Sequence, residues 1–236
     1  MTVNPAKTIK NAKITMQEKK IDLILYDLDG TIQDSVPLIM ESFHKAYEIV
    51  LGECPRSDAD LMSYIGRPLT VSFERHDKET AEKLTEAYLT YNKQRMKEGA
   101  IPLFPGVKEG LAEIKEHGFR QGIVTAKRRE SAMITIDMLD IAKYFDVMIF
   151  SEDTKRSKPY GDPLVEAAKR LGVTDMSSVL YVGDAATDLL SARDCGASFA
   201  LVGWTMMPMD ELMSLKPDHV ISSLAESPCI IKGTEL

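Results

Sequence analysis

The most informative part of the chain is residues 23–31, which read LILYDLDGT. The largely apolar run at 21–26 is short and continuous, which favours a strand buried on both faces of a parallel sheet. Asp27 and Asp29 follow it, and side chains two residues apart on an extended chain point the same way. Ligands bind at the carboxyl edge of open α/β sheets. We therefore expect two carboxylates in one small space, which indicates a metal site, an acid–base role or both.

Three other kinds of structure could in principle contain this stretch. A nucleotide-binding strand that holds magnesium would need a G-x-x-x-x-G-K-[ST] loop, which this sequence lacks. An EF-hand loop with Gly30 at its sixth position would place Leu25 and Val36 where carboxylates are required. A plain turn, which uses Asp and Gly for their backbone tolerance, stays open at this point.

Composition narrows the class of protein. The 236 residues can bury one core, or one core and a small accessory domain. A net charge of -7 argues against a nucleic-acid partner but allows a small anionic substrate. The cysteines are three in number, without a C-x-x-C pair, which disfavours disulfides and zinc and fits a reducing cytoplasm. No apolar run has the length of a membrane span, so we expect a cytoplasmic protein without a membrane partner.

The hydrophobic periodicity divides the chain. Residues 1–19 are basic and are predicted to be a flexible leader. Helical patterns fill 35–101, and after 102 helices and buried strands alternate, which implies parallel pairing. The predicted fold class is therefore α/β: a doubly wound, Rossmann-like parallel sheet core, residues 20–34 and 102–236, with an inserted all-helical cap, residues 35–101. The strands expected after the first are Arg120 to Val124, Val147 to Phe150, Val179 to Val182, Ser198 to Val202 and His219 to Ile221.

Polar groups suited to phosphate or metal follow other predicted strands. Thr125 could hold phosphate oxygens together with the backbone N–H groups that open the next helix, although a threonine there is more commonly a helix cap. Lys158 could neutralise phosphate oxygens and reduce the repulsion among the carboxylates, although a lone lysine is usually a surface charge. Asp184 could complete a magnesium site with Asp27, and Asp188 lies four residues on; structurally the two acids could instead favour a helix start.

Taken in order, these residues resemble the motifs of the haloacid dehalogenase-like superfamily. The resemblance rests on the DLDGT stretch at 27–31, Thr125, Lys158-Pro159, and Gly183-Asp184 with Asp188. The helical insertion resembles the C1 cap of that superfamily. The nearest subgroups are phosphoglycolate phosphatases and related pyrophosphatases.

The resemblance implies a role for each matching residue. Asp27 would attack phosphorus, and Asp29 would protonate the leaving oxygen and then activate water. Thr125 and Lys158 would hold the phosphoryl group. Leu28 and Ala126 are further expected substrate-binding positions, Gly30, Thr31 and Asp188 are expected to support the site, and the ligands expected for Mg²⁺ are Asp27, Asp184 and the backbone carbonyl of Asp29.

One residue of the predicted cap is a candidate for specificity. Arg67 lies in a segment, GRPL at 66–69, that resembles the substrate-specificity loop of related caps. A guanidinium group there could bind an anionic leaving group in a bidentate manner. An exposed arginine in a turn has the same pattern.

The expected function is that of a Mg²⁺-dependent phosphatase. Its substrate would be a small phosphorylated metabolite, a phosphoglycolate-like monoester or pyrophosphate, hydrolysed through an aspartyl-phosphate. The alternatives are a phosphosugar mutase of the β-phosphoglucomutase type and a regulatory phosphate-binding module without turnover. A monomer or homodimer is expected.

Overall fold

The computed structural model describes residues 21–65, 67 and 69–227, and the predicted leader lies outside them. These residues contain a six-stranded parallel sheet in the order β3-β2-β1-β4-β5-β6. Helices connect the parallel strands, which confirms the predicted doubly wound α/β fold. The strands are β1 Leu23–Tyr26, β2 Arg120–Val124, β3 Val147–Ile149, β4 Val179–Gly183, β5 Ser198–Val202 and β6 His219–Ile221.

The first strand lies in the middle of the sheet, between β2 and β4. Tyr26, its last residue, is paired with Ile123 on one side and Val182 on the other. Because all three strands run in the same direction, the residues that follow them leave the sheet at the same edge. This register brings together the segments that begin at Asp27, Thr125 and Asp184.

Both faces of β1 are buried, as its apolar sequence predicted. Ile24 and Tyr26 belong to one apolar cluster, together with residues of the helix Val107–Glu116 (α5). Leu23 and Leu25 belong to a second cluster on the other face. Burial of apolar side chains on two faces is the main favourable contribution to folding here.

Helices continue the chain between and after these strands. Between β1 and β2, and ahead of α5, lie α1 Val36–Leu51, α2 Asp58–Met62, α3 Leu69–Ser72 and α4 Lys78–Lys97. After β2 come α6 Arg129–Met138, α7 Asp162–Arg170, α8 Ala186–Cys195 and α9 Met209–Ser214, with short 3₁₀ turns at Ala142–Tyr144, Met176–Ser178 and Leu224–Glu226. None of the described helices is long and apolar enough to cross a membrane.

Residues 36–97, called the helical segment below, have an apolar cluster of their own. Phe43 of α1 lies at the centre of this cluster, with ring centroids 4.8 Å from Tyr88 and 5.7 Å from Phe73. The points at which the chain leaves the sheet and returns to it lie close together, since the Asp34 N–H donates to the Pro102 carbonyl oxygen at 2.9 Å. The division into a sheet core and a cap at residues 35 and 101 stays a prediction.

A buried hydrogen-bond chain at the start of β2 provides a test of the fold. The Tyr26 hydroxyl donates to Gln121 Oε1 at 2.9 Å, and Gln121 Nε2 donates to the Leu111 carbonyl oxygen at 3.0 Å. Tyr26→Phe would leave a buried amide oxygen without its donor, so we expect the free energy of unfolding to fall by about 1–3 kcal/mol. Urea unfolding measures it. Tyr160→Phe, at a position that is 47% exposed, is the control. Equal stabilities of the two variants would contradict the importance of this chain.

Candidate active site

The candidate site lies at the carboxyl edge of the sheet, where the strand register places it. Asp27 follows β1, and its N–H donates to the Val182 carbonyl oxygen at 2.9 Å. Thr125 follows β2, and its N–H donates to the Ile149 carbonyl oxygen at 3.0 Å. Asp184 follows β4, while Lys158 comes from the loop between β3 and α7. The residues that the sequence predicted on separate strands therefore meet.

Lys158 links two of the predicted carboxylates. Its Nζ lies 2.9 Å from Asp27 Oδ1 and 2.6 Å from Asp188 Oδ1. Lys158 Nζ also donates to the Tyr181 hydroxyl oxygen at 3.2 Å, and that hydroxyl lies 3.0 Å from the Val124 carbonyl oxygen. All of these side chains are buried. A buried ammonium group needs such partners, because removal of a charge from water costs several kcal/mol.

The charges of this group perturb one another. Burial raises the pKa of Asp27 to about 7, with Lys158 opposing and the charges of Asp188 and Asp29 adding to the rise. Burial by itself would lower the pKa of Lys158, but the charges of Asp188 and Asp27 outweigh it and raise the pKa above its usual value. The ammonium group therefore stays protonated, and it favours the ionised form of the Asp27 carboxyl.

Asp184 has the least satisfied carboxylate of the group. Its Oδ2 is buried and accepts no hydrogen bond from any described residue. Burial, with the charges of Asp188 and Asp27, raises its pKa well above the usual range. Carboxylate oxygens of Asp27, Asp184 and Asp188 lie within 4.8 Å of one another, so this buried cluster could hold a metal ion.

Asp188 differs from the other two acids because both its oxygens already have partners. Oδ1 accepts from Lys158, and Oδ2 accepts from the backbone N–H groups of Asp184 at 3.2 Å and Ala185 at 3.1 Å. These contacts fix the turn that leads from β4 into α8. They suit the supporting role that the sequence predicted better than a role as metal ligand.

Gly30 supports the site through its lack of a side chain. Its φ is +81°, and a Cβ at this position would lie 2.2 Å from Asp184 Oδ2. Only glycine therefore allows the turn after β1 to approach the Asp184 carboxylate so closely.

Asp29 is turned towards a different cation. Its Oδ1 accepts from Lys127 Nζ at 2.6 Å and from Gln33 Nε2 at 2.8 Å. Burial would raise the pKa of Asp29, but the charge and hydrogen bond of Lys127 lower it below its usual value. Neither partner was predicted from the sequence, although Lys127 lies only two residues after Thr125.

The remaining predicted residues lie in or beside the site. Thr125 is buried, and its Oγ1 accepts from the Lys127 N–H at 3.2 Å, so it also caps the turn. Leu28 and Thr31 are buried in the turn after β1. Ala126 and Arg67 both line the cavity described next, and Arg67 is exposed.

A cavity of about 400 Å³ lies between the sheet edge and the helical segment. Its lining includes Asp27, Asp29, Thr125 and Lys127 from the sheet edge, and side chains of α1, α3 and α4 from the opposite side. This size is typical of pockets that bind small molecules. The arrangement gives a bound molecule direct access to the two carboxylates of the DLDGT stretch.

Known proteins resemble the chain over most of its length. Residues 24–202 match the model of a family described as haloacid dehalogenase-like hydrolase. Pyrophosphatase PpaX of Halalkalibacterium halodurans is 33% identical over 208 residues, 88% of this chain and 95% of the relative. Pyrophosphatase PpaX of Bacillus velezensis is 30% identical over 212 residues, 89% of this chain and 96% of the relative.

A solved structure resembles the fold. The haloacid dehalogenase-like family protein SP0104 of Streptococcus pneumoniae superposes with a TM-score of 0.76 at 24% identity, over 89% of this chain and 97% of that one. The family match confirms the prediction of an enzyme, a phosphatase of this superfamily. By its sequence and by the edge of the sheet where its acids meet, the chain belongs to the haloacid dehalogenase-like hydrolases.

Proposed function

We propose that the protein is a Mg²⁺-dependent phosphatase that hydrolyses a small phosphorylated metabolite through an aspartyl-phosphate on Asp27. The observation that carries the proposal is the meeting of Asp27, Asp184 and Lys158 at one buried point, from which Asp27 lines the cavity. A phosphoglycolate-like monoester and pyrophosphate are the candidate substrates. The name of the PpaX relatives supports pyrophosphate.

The two carboxylates of the DLDGT stretch would divide the reaction between them. An Asp27 oxygen attacks phosphorus while the bond from phosphorus to the leaving oxygen breaks, and the protonated form of Asp29, the minor form while Lys127 holds this carboxyl, gives a proton to that oxygen. Water then attacks phosphorus of the aspartyl-phosphate and gives a proton to Asp29, which frees inorganic phosphate and restores the Asp27 carboxylate. Thr125 and Lys158 hold the oxygens of the transferred group in both steps.

The charges at the site fit a divalent cation. The carboxylates of Asp27, Asp29, Asp184 and Asp188 face two ammonium groups, those of Lys158 and Lys127. When these groups are ionised two negative charges are left over, and Asp184 Oδ2 has no partner among the described residues. Mg²⁺ prefers such oxygen ligands, and when bound it would neutralise negative charge on the phosphoryl oxygens. The carboxylates of Asp27 and Asp184 and the backbone carbonyl of Asp29 would hold it.

A phosphosugar mutase would use the same acids but return the phosphoryl group to the sugar. Incubation with glucose 1-phosphate and Mg²⁺ separates the two activities. Released inorganic phosphate supports the hydrolase, whereas an isomerised sugar phosphate without phosphate release would replace it with the mutase.

Asp27→Asn tests the covalent step. An amide is not a nucleophile towards phosphorus, so we expect Mg²⁺-dependent release of p-nitrophenol from p-nitrophenyl phosphate to be abolished, with an unchanged circular dichroism spectrum. Asp137→Asn, an exposed aspartate of α6, is the control and keeps full activity. Substantial turnover by Asp27→Asn would rule out the aspartyl-phosphate.

Asp29→Asn tests the acid–base role. The variant keeps a polar group near Lys127 and Gln33 but cannot transfer the proton, so we expect kcat to fall about 10²–10⁴-fold. The same assay measures it, and rapid quenching should detect the aspartyl-phosphate. A loss of less than about tenfold would remove Asp29 from proton transfer.

Asp184→Asn tests the metal site. We expect Mg²⁺ to raise the melting temperature of the native protein, because a ligand that binds only the folded state stabilises it. Asp184→Asn should lose most of this shift, yet keep its stability in EDTA, because it removes one of several adjacent negative charges. Differential scanning fluorimetry with and without Mg²⁺ measures both. An equal Mg²⁺ shift in the variant would place the metal elsewhere.

A further inference from the structure

We propose that the natural substrate is a phosphate monoester whose alcohol has an apolar body, and that the helical segment packs against that body. This inference rests on the proposed phosphatase function and narrows its substrate. It separates monoesters from pyrophosphate, which has no apolar atom.

The wall of the cavity opposite the sheet edge carries the argument. It is built mainly of apolar and aromatic side chains of the helical segment: Ile39, Phe43, Tyr64, Leu69, Tyr88 and Leu89. Ser72, Thr85 and Asn92 are polar members of the same wall. Its apolar side chains gain free energy only when they cover apolar surface of a ligand, since they make no hydrogen bond to a phosphate.

The cations around the cavity differ in their partners. Arg67 is the one charged residue that the helical segment contributes to the lining, among the described residues. On the sheet side, Lys127 Nζ is held by Asp29 at 2.6 Å, and Lys158 Nζ is held by Asp27 and Asp188, whereas Arg128 lines the cavity and is exposed. A second anionic group of a ligand would therefore have only the exposed guanidinium groups of Arg67 and Arg128 to bind, and neither of them covers the apolar wall.

Tyr88 provides a separate indication of an organic ligand. Its side chain is more than nine-tenths buried and lines the cavity, and its hydroxyl makes no hydrogen bond with a described residue. Burial, together with the nearby charge of Asp29, raises the pKa of this hydroxyl, so it stays protonated. The hydroxyl is therefore free to donate into the cavity, where an oxygen of a bound ester could accept its hydrogen bond.

The test uses ligands that differ only in apolar length. Ethyl-, butyl- and hexylphosphonate share one headgroup and are not hydrolysed, so their binding can be measured by calorimetry on the whole protein with Mg²⁺. Each fully buried methylene should lower Kd by about fourfold, so burial of only two of the four additional methylenes makes hexylphosphonate bind at least about tenfold more tightly than ethylphosphonate. A Kd that stays constant or rises with chain length overturns the inference.

A matched pair of leucine variants locates the effect. Leu89 lines the cavity and is 37% exposed, whereas Leu51, at the end of α1, is 43% exposed and outside the lining. Leu89→Asp should reduce the ratio of ethyl- to hexylphosphonate Kd to below about threefold, because a carboxylate next to the chain removes the gain from burial. Leu51→Asp should keep the native ratio. Loss of the ratio in both variants, or in neither, would overturn the assignment to this wall.

The binding measurements and the turnover assay test the two proposals separately. If p-nitrophenyl phosphate is not hydrolysed but the chain-length dependence is present, the proposed function fails and the apolar site stands. If p-nitrophenyl phosphate is hydrolysed but the phosphonates bind equally, the phosphatase stands and the apolar alcohol is rejected.

Discussion

The site depends on one buried ammonium group. Lys158 Nζ lies within 2.9 Å of an oxygen of Asp27 and 2.6 Å of an oxygen of Asp188. Without it, Asp27, Asp184 and Asp188 would be crowded together in a region from which water is excluded, and their repulsion would favour protonation. An attacking carboxylate must be ionised. The same lysine therefore compensates the charge of the buried acids and supports the chemistry that we propose for Asp27.

The sheet order explains how these groups meet although they are far apart in sequence. With β1 between β2 and β4, the segments after the three strands leave the sheet side by side. Asp188 then fixes the turn after β4 by accepting from the N–H groups of Asp184 and Ala185. Gly30 allows the turn after β1 to approach Asp184, because a side chain there would collide with the carboxylate. Strands and helices therefore position the site, and short turns set the final distances between its side chains.

The cavity has two sides of different chemistry. The sheet edge provides charged and polar groups that suit any phosphoryl group, so it carries little information about the substrate. The helical segment provides Phe43, Tyr88 and other apolar side chains, which in our proposal contact the part of the substrate that leaves. This division agrees with a family in which one reaction is adapted to different substrates. The relatives named as pyrophosphatases are similar to this chain in sequence over most of its length. The apolar wall, in contrast, favours a monoester as the substrate.

The sequence by itself determined the α/β fold, the strands and the acids at their ends. These features depend on local signals: short apolar runs, glycines after helices, and carboxylates directly after a buried strand. It could not show that Asp29 pairs with Lys127, or that Asp188 Oδ1 pairs with Lys158, because these pairs join residues from separate segments, whose distance is set by the register of neighbouring strands. The tertiary structure also decided the chemistry of the cavity wall. A helical repeat of apolar residues predicts a buried face, but whether that face meets protein or a cavity depends on how the helical segment lies against the sheet edge.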